Sequence, residues 1–316
     1  MAAGRLALKT VTHRLVTGSN SGLKLRKASD FNAFTRQGHF GQTVGRIPDS
    51  DLDITVAQTA LEDIAAALVA ARRSGLAADE KPWADTALSQ TDIYRVQDLV
   101  AQALGWHAAP GEPGRAGYWK GGGAGPGSVA SFAQVPPPWT RPSPATLKAG
   151  DFHQLGIEIE VAFRLARDVR PEDLALRSAH DPAAFLDAMA VSIELVDFRW
   201  QGGQAVRSEL RSCDLQCNGA LVVGDWTPLR PVDWAAQVAT LEVNGQPVGR
   251  YQGAHAAGDP LWFAPQWLEH AVARHGRLAE GSVLTTGSWC GLVWLDGPSD
   301  VRAVFDGIGD ARLTLA

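Results

Sequence analysis

From about Val56 the apolar residues recur with a helical period. Leu61, Ile64, Ala65 and Leu68 follow i, i+3, i+4, i+7, and Gly75 ends the run. A second run between about Thr91 and Leu104 puts Ile93, Val96, Val100 and Leu104 on one face and closes at Gly105. Residues 107–150 lose this order. They are dense in Gly and Pro, with Lys120-Gly121-Gly122-Gly123 and Pro136-Pro137-Pro138, and read as one long loop. After Asp151 the period becomes two. Ile157, Ile159, Val161, Phe163 and Leu165 alternate with Glu158, Glu160, Ala162 and Arg164, which predicts a strand with one apolar face. Asp181-Pro182 supplies a cap and a first-turn proline for a short helix to about Ala190, and 191–196 reads as a strand. Residues 221–224 and 240–248 are strand-like, the latter turned at Asn244-Gly245. A helix runs from Leu261 to His275 and stops at Gly276; strands over 283–286, 301–305 and 311–315 follow. Helices first and mostly strands afterwards predict an α+β fold, a small N-terminal helical lobe on a β-rich domain.

Composition narrows the function more than the fold. The chain has 316 residues, 45% of them hydrophobic, with 11 Trp and 10 Phe, enough for a sizeable core and against disorder of the whole chain. No apolar run approaches the roughly 18–20 residues that span a bilayer, so no membrane partner is expected. Residues 1–50 carry eight Lys/Arg against two Asp, whereas the rest is net acidic. An acidic body argues against a nucleic-acid partner. The basic stretch lacks the apolar core of a secretory signal and reads as a disordered leader, leaving a lobe over 51–115 and a β-rich catalytic domain over 116–316. Cys213, Cys217 and Cys290 make an odd count without a second metal-type pair, which fits thiols in a reducing, cytoplasmic setting.

Glu158 and Glu160 are the most informative pair. At i and i+2 of a strand their carboxylates share a face, roughly 6–7 Å apart along it, and repel unless a cation lies between them. Glu194 sits in Val191-Ser192-Ile193-Glu194-Leu195-Val196, an otherwise apolar strand, where a carboxylate needs a partner. Three carboxylates without a nearby histidine form a hard oxygen site suited to Mg²⁺ or Mn²⁺. Lys120, taken alone, is a loop lysine. Arg199 has the fork to hold a substrate carboxylate, or else balances Asp197 or Glu194. Thr286 and Ser288 are hydroxyls on a Gly-containing turn, lining a pocket or capping a strand end; His153 and His255 read as satisfied or surface histidines.

Gly156-Ile-Glu158-Ile-Glu160-Val-Ala-Phe163 followed by Ile193-Glu194-Leu-Val-Asp197-Phe-Arg199 resembles the fumarylacetoacetate-hydrolase-like superfamily, in particular its 2-oxopent-4-enoate hydratase and 4-oxalocrotonate decarboxylase branch. Tyr94-Arg-Val-Gln97, Gly117-Tyr-Trp-Lys120-Gly121, Asp214 with Asn218-Gly-Ala-Leu-Val-Val-Gly224, Asp259-Pro260-Leu261, Trp267-Leu268 and Leu284-Thr-Thr286-Gly287-Ser288 extend the likeness over about 55–316. The resemblance implies a rolled, mostly antiparallel sheet and a homo-oligomer. It implies Glu158, Glu160 and Glu194 as metal ligands and Lys120 as the active-site lysine; Arg199, Asp214, Thr286 and Ser288 stand as the candidate residues toward a short 2-oxo acid. The implied activity is a divalent-metal-dependent lyase of aromatic-compound catabolism, hydrating a 2-hydroxydienoate of the 2-oxopent-4-enoate type. The alternatives are decarboxylation, carbon–carbon hydrolysis, or a member that binds a 2-oxo acid without turnover. Where branch members resembled here carry an acid/base Asp after the lysine, this chain has Val135-Pro-Pro-Pro-Trp139-Thr, so the resemblance assigns no proton-transfer group.

Overall fold

The computed structural model describes residues 51–106, 117–175 and 181–316; the expected leader over 1–50 lies outside them. Both helices of the lobe form, α1 (Asp51–Ser74) and α2 (Gln90–Ala103). Ser89 caps α2 in a reciprocal pair with Asp92, satisfying backbone donors at the helix start. Ile64, Ala65 and Leu68 meet Ile93, Val96 and Val100, and this apolar cluster continues into Trp200, Val206, Leu210 and Cys213. The lobe therefore shares its core with the segment that follows the central strands.

The part of the expected loop that is described, 117–150, holds four strands: β1 (Tyr118–Gly122), β2 (Ser131–Val135), β3 (Thr140–Pro142) and β4 (Ala145–Leu147). This corrects the loop reading. The glycines that suggested it serve packing: a Cβ on Gly121 would stand 2.6 Å from a ring carbon of Phe263 and 2.9 Å from Phe132. β5 (Gly156–Leu165) is the expected strand, and its Glu-bearing face is buried along with its apolar face. One short helix, α3 (Pro171–Leu174), follows. The helix expected after Asp181 is a single tight turn, Pro182–Phe185, capped by Asp181. Its supposed second half already belongs to β6 (Leu186–Val196), where burial of Leu186, Ala188 and Ala190 favours pairing with β5. Then come α4 (Ser208–Cys213), β7 (Asn218–Val223), β8 (Thr227–Pro228), β9 (Val238–Val243) and β10 (Gln246–Gln252), the last two joined by Asn244-Gly245 with φ of 52° and 71°. α5 (Ala264–His275) stops at left-handed Gly276, and β11 (Val283–Thr285), β12 (Val293–Trp294), β13 (Ser299–Phe305) and β14 (Gly309–Leu315) complete the chain.

These strands make two mixed, mainly antiparallel sheets. The larger runs β2-β1-β11-β5-β6-β7-β3, with β12 beside β5 and β8 beside β6; the smaller runs β10-β9-β13-β14-β4. Ile157, Ile159, Val161 and Phe163 with Met189, Val191 and Ile193 pack one face of the larger sheet on Leu241, Ala303 and Leu313 of the smaller and on Trp267 and Leu268 of α5. Such burial of branched and aromatic side chains is worth roughly 1.5–3 kcal/mol each. The other face curls until β2 meets β7 and the turn before it. Inside the curl a small apolar cluster of Val135, Ala190, Leu221 and Val223 lies on the same face as the glutamates.

Candidate active site

Register brings the acids together. β5 and β6 pair antiparallel with Glu158 directly opposite Glu194 and Glu160 opposite Ser192. One carboxylate oxygen of each of Glu158, Glu160 and Glu194 lies within 4.8 Å of the others, and all three residues are buried. Like charges facing each other across a ladder destabilise a sheet, and burial sharpens that repulsion. Desolvation, then Glu194 and Glu160, push the Glu158 carboxyl up to about 8. Desolvation and Glu194 push Glu160 up to about 7, against the Thr285 hydrogen bond, the charge of Lys120 and the nearby Gly287 N–H.

A cation already enters this acidic ring. Lys120 projects from β1, whose register with β11 sets it beside Thr285. Its Nζ lies 2.5 Å from Glu194 Oε1 and donates to the Gln216 carbonyl at 3.1 Å. Burial alone would lower the pKa of Lys120, but the charges of Glu194 and Glu158, the hydrogen bond to Glu194 and the charge of Glu160 outweigh it and raise it. Asn218 Nδ2 donates to the same Glu194 oxygen at 2.9 Å. Thr285 donates to Glu160 Oε2 and lies 3.0 Å from the Ser192 hydroxyl.

The residues fit a divalent ion. Glu158 Oε1 and Glu194 Oε2 are buried and have no hydrogen-bond partner. An unpartnered buried carboxylate oxygen is costly unless a cation takes it. The donor set is all oxygen, and ligands on one Mg²⁺-, Mn²⁺- or Ca²⁺-sized ion stand no more than about 4–5 Å apart.

Of the other sequence-expected residues, Ser288 joins the site and the rest surround it. The Ser288 hydroxyl donates to Gly291 O at 3.0 Å and stands near enough to Glu158 to favour its charged form. The Thr286 hydroxyl turns away and donates to Val161 O at 2.7 Å; the side chain that meets the ring is its neighbour Thr285. Arg199 donates to Asp214 through Nε at 2.8 Å and to Asp197 at 3.2 Å, and Arg72 of α1 reaches Asp214 at 3.2 Å. Asp197 also accepts from the backbone of His153 and Gln154. Its burial favours the neutral form, but the His153 hydrogen bond, Arg199 and the Gln154 N–H outweigh it and hold its pKa below the usual range. Arg199 and Asp214 thus engage each other beneath the site, and both are buried.

The Asp214 network braces a strained turn. Leu215, Gln216 and Cys217 have φ of 51°, 55° and 62°, a left-handed stretch that costs about 1–2 kcal/mol per residue. Lys120 on the Gln216 carbonyl and Gln216 Nε2 on Ser131 Oγ at 2.9 Å hold it from the site side. Sequence reasoning missed Ser192, Thr285 and Gln216. Period two put Ser192 on the Glu194 face, and a polar end to the apolar strand Val283-Leu284-Thr285 marked Thr285. Gln216 meets Lys120 through its backbone oxygen, a contact that leaves no side-chain signal.

A family model described as fumarylacetoacetate (FAA) hydrolase C-terminal matches residues 104–316. The chain belongs to this family. Proteins similar in sequence include a 2-keto-4-pentenoate hydratase of Burkholderia vietnamiensis (strain G4 / LMG 22486), 29% identical over 169 residues, 50% of this chain and 59% of that protein. A 2-hydroxyhexa-2,4-dienoate hydratase of Comamonas testosteroni is 28% identical over 170 residues, 53% of this chain and 62% of that protein. The matches thus span about three fifths of the length of these curated relatives. Among solved structures, a 4-oxalocrotonate decarboxylase from Pseudomonas putida G7, complexed with magnesium and adipate, superposes with a TM-score of 0.68 at 15% identity, covering 82% of this chain and 98% of that one. That likeness establishes the α+β fold. No helix among the described residues is long and apolar enough to cross a membrane.

Proposed function

We propose that this family member is a divalent-metal-dependent lyase acting on a short 2-oxo or 2-hydroxydienoic acid, with hydration of the 2-oxopent-4-enoate type as its reaction in aromatic-compound catabolism. The observation that carries the reading is the buried Glu158–Glu160–Glu194 ring with two unpartnered oxygens and Lys120 at its edge. Those three carboxylates would hold Mg²⁺ or Mn²⁺. When bound, the ion supplies Lewis-acid stabilisation of negative charge developing on the 2-oxygen of the acid. Lys120 Nζ has three protons and spends two on Glu194 and the Gln216 carbonyl; the third would give a substrate carboxylate or a developing oxyanion a charge-assisted bond. Asn218 fixes Glu194 and Thr285 fixes Glu160, so neither acid reorients as substrate enters. The cluster of Val135, Leu221 and Val223 offers a dry wall for the hydrocarbon end of the substrate.

Titration calorimetry of Mn²⁺ and then oxalate, a chelating mimic of the 2-oxo acid, tests the reading on the whole chain and on Glu158→Ala/Glu160→Ala. Metal-dependent oxalate binding that the double variant loses supports it; equal binding by a folded double variant refutes it. The ultraviolet decay of a 2-hydroxydienoate against that of 4-oxalocrotonate then separates hydration from decarboxylation.

A further inference from the structure

The peptide unit joining Thr286 to Gly287 stands between a buried histidine and a carboxylate of the acidic ring. Its N–H lies near the Glu160 carboxylate, whose charged form it favours, and the neighbouring Thr285 donates to the same carboxylate. Its carbonyl oxygen lies 2.8 Å from Nε2 of His255, a buried side chain 31 positions earlier in the chain. Nδ1 of the same ring accepts the Ala257 N–H at 3.3 Å. A neutral imidazole has one N–H, so with Nδ1 accepting, the proton sits on Nε2 and is donated to the Thr286 carbonyl. Desolvation lowers the pKa of His255, against the pull of that carbonyl, which favours this neutral form. Trp289 walls the ring, its centroid 6.0 Å away.

We propose that His255 is a positioning residue that locks the Thr286–Gly287 peptide so that its N–H, and not its carbonyl, faces Glu160. A trans peptide is planar with C=O and N–H pointing opposite ways, so fixing one end fixes the other. The lock matters because Gly287 has φ of +106°, in a region glycine enters and leaves with little steric restraint, so the residue itself does not hold the adjoining peptide. The flanks are tied down: Thr286 Oγ1 donates to Val161 O at 2.7 Å and the Trp289 N–H to Ile159 O at 2.9 Å. A flipped unit would aim a carbonyl dipole at a buried carboxylate. Donation from His255 also polarises the peptide and leaves its N–H more positive toward Glu160.

This inference rests on reading Glu160 as a metal ligand, and the experiment separates the two. Mn²⁺ alone is titrated into wild type, His255→Gln, which keeps an N–H donor near the Nε2 position, and His255→Met, which removes it at similar length. Amide exchange at Gly287 is followed in each metal-free protein. The expected result is Mn²⁺ affinity about tenfold weaker and faster Gly287 exchange in His255→Met, with both restored in His255→Gln. A folded His255→Met with wild-type affinity and exchange overturns the lock. A Gln variant as impaired as Met also overturns it, since packing against Trp289 would then be the whole role. Should His255→Met not fold, Gly287 exchange in wild type decides, slow exchange supporting the lock and free-peptide exchange overturning it. If wild type takes up no Mn²⁺, the metal reading fails while Gly287 exchange in the variants still judges the lock.

Discussion

Metal-free protein should lose stability as the solution becomes alkaline, and Mn²⁺ should cancel the loss. The perturbation is pH between about 6.5 and 9, with and without the ion. Glu158 titrates in the fold at about 8 and Glu160 at about 7, both above the ordinary value of 4.5. Folded carboxyls with raised pKa contribute stability that is complete below that ordinary value and is lost as pH climbs through about 7 and 8. At roughly 1.4 kcal/mol per unit for each fully buried group still protonated in the fold, the loss across the window is about 3 kcal/mol. For a domain of this size that lowers the melting temperature by about 6–12 °C. The ion must displace these protons, so its affinity and its stabilisation grow with pH. Scanning calorimetry in EDTA and in saturating Mn²⁺ reads both slopes, and Glu158→Gln should flatten the EDTA slope. A melting temperature in EDTA that holds or rises toward pH 9, or an equal Mn²⁺ effect at both ends, would refute the reasoning.

Three further substitutions probe separate parts of the site. Lys120→Met removes the cation from the ring; turnover should vanish while Mn²⁺ binds at least as tightly, checked by dienoate decay and calorimetry. Asp214→Leu leaves Arg199 and Arg72 without their shared anion and should cost about 3–5 kcal/mol in urea unfolding; a change confined to KM would instead assign Asp214 to the substrate. Gly121→Ala drives a Cβ into Phe263 and Phe132 and should cost about 1–3 kcal/mol, with activity falling as β1 and Lys120 shift.

The acids were legible because a strand has a fixed period, so Glu158 and Glu160 had to share a face and Glu194 stood out among apolar neighbours. Their meeting was not, since it depends on β5–β6 register, which the resemblance implied but no local pattern states. β1 hid as a loop because the reason for Gly121 is Phe263, far away in the chain. The Asp181-Pro182 cap is real, yet the residues after it pair as strand, because long-range pairing overrides a local start signal. Arg199 drew attention by its charge, while its fork is engaged by Asp214 and Asp197.

The Arg72–Asp214 bond has a consequence for how the molecule comes apart. Arg72 is the last buried anchor of α1, and Asp214 sits two residues before the carbonyl that holds Lys120. Peeling the lobe away would bare Trp200, Leu210 and the Arg199 guanidinium at once. The lobe and the sheet should therefore melt in one cooperative step. Gentle proteolysis should then release no trimmed β-rich core that still binds ligand, because the helices double as the far buttress of Lys120.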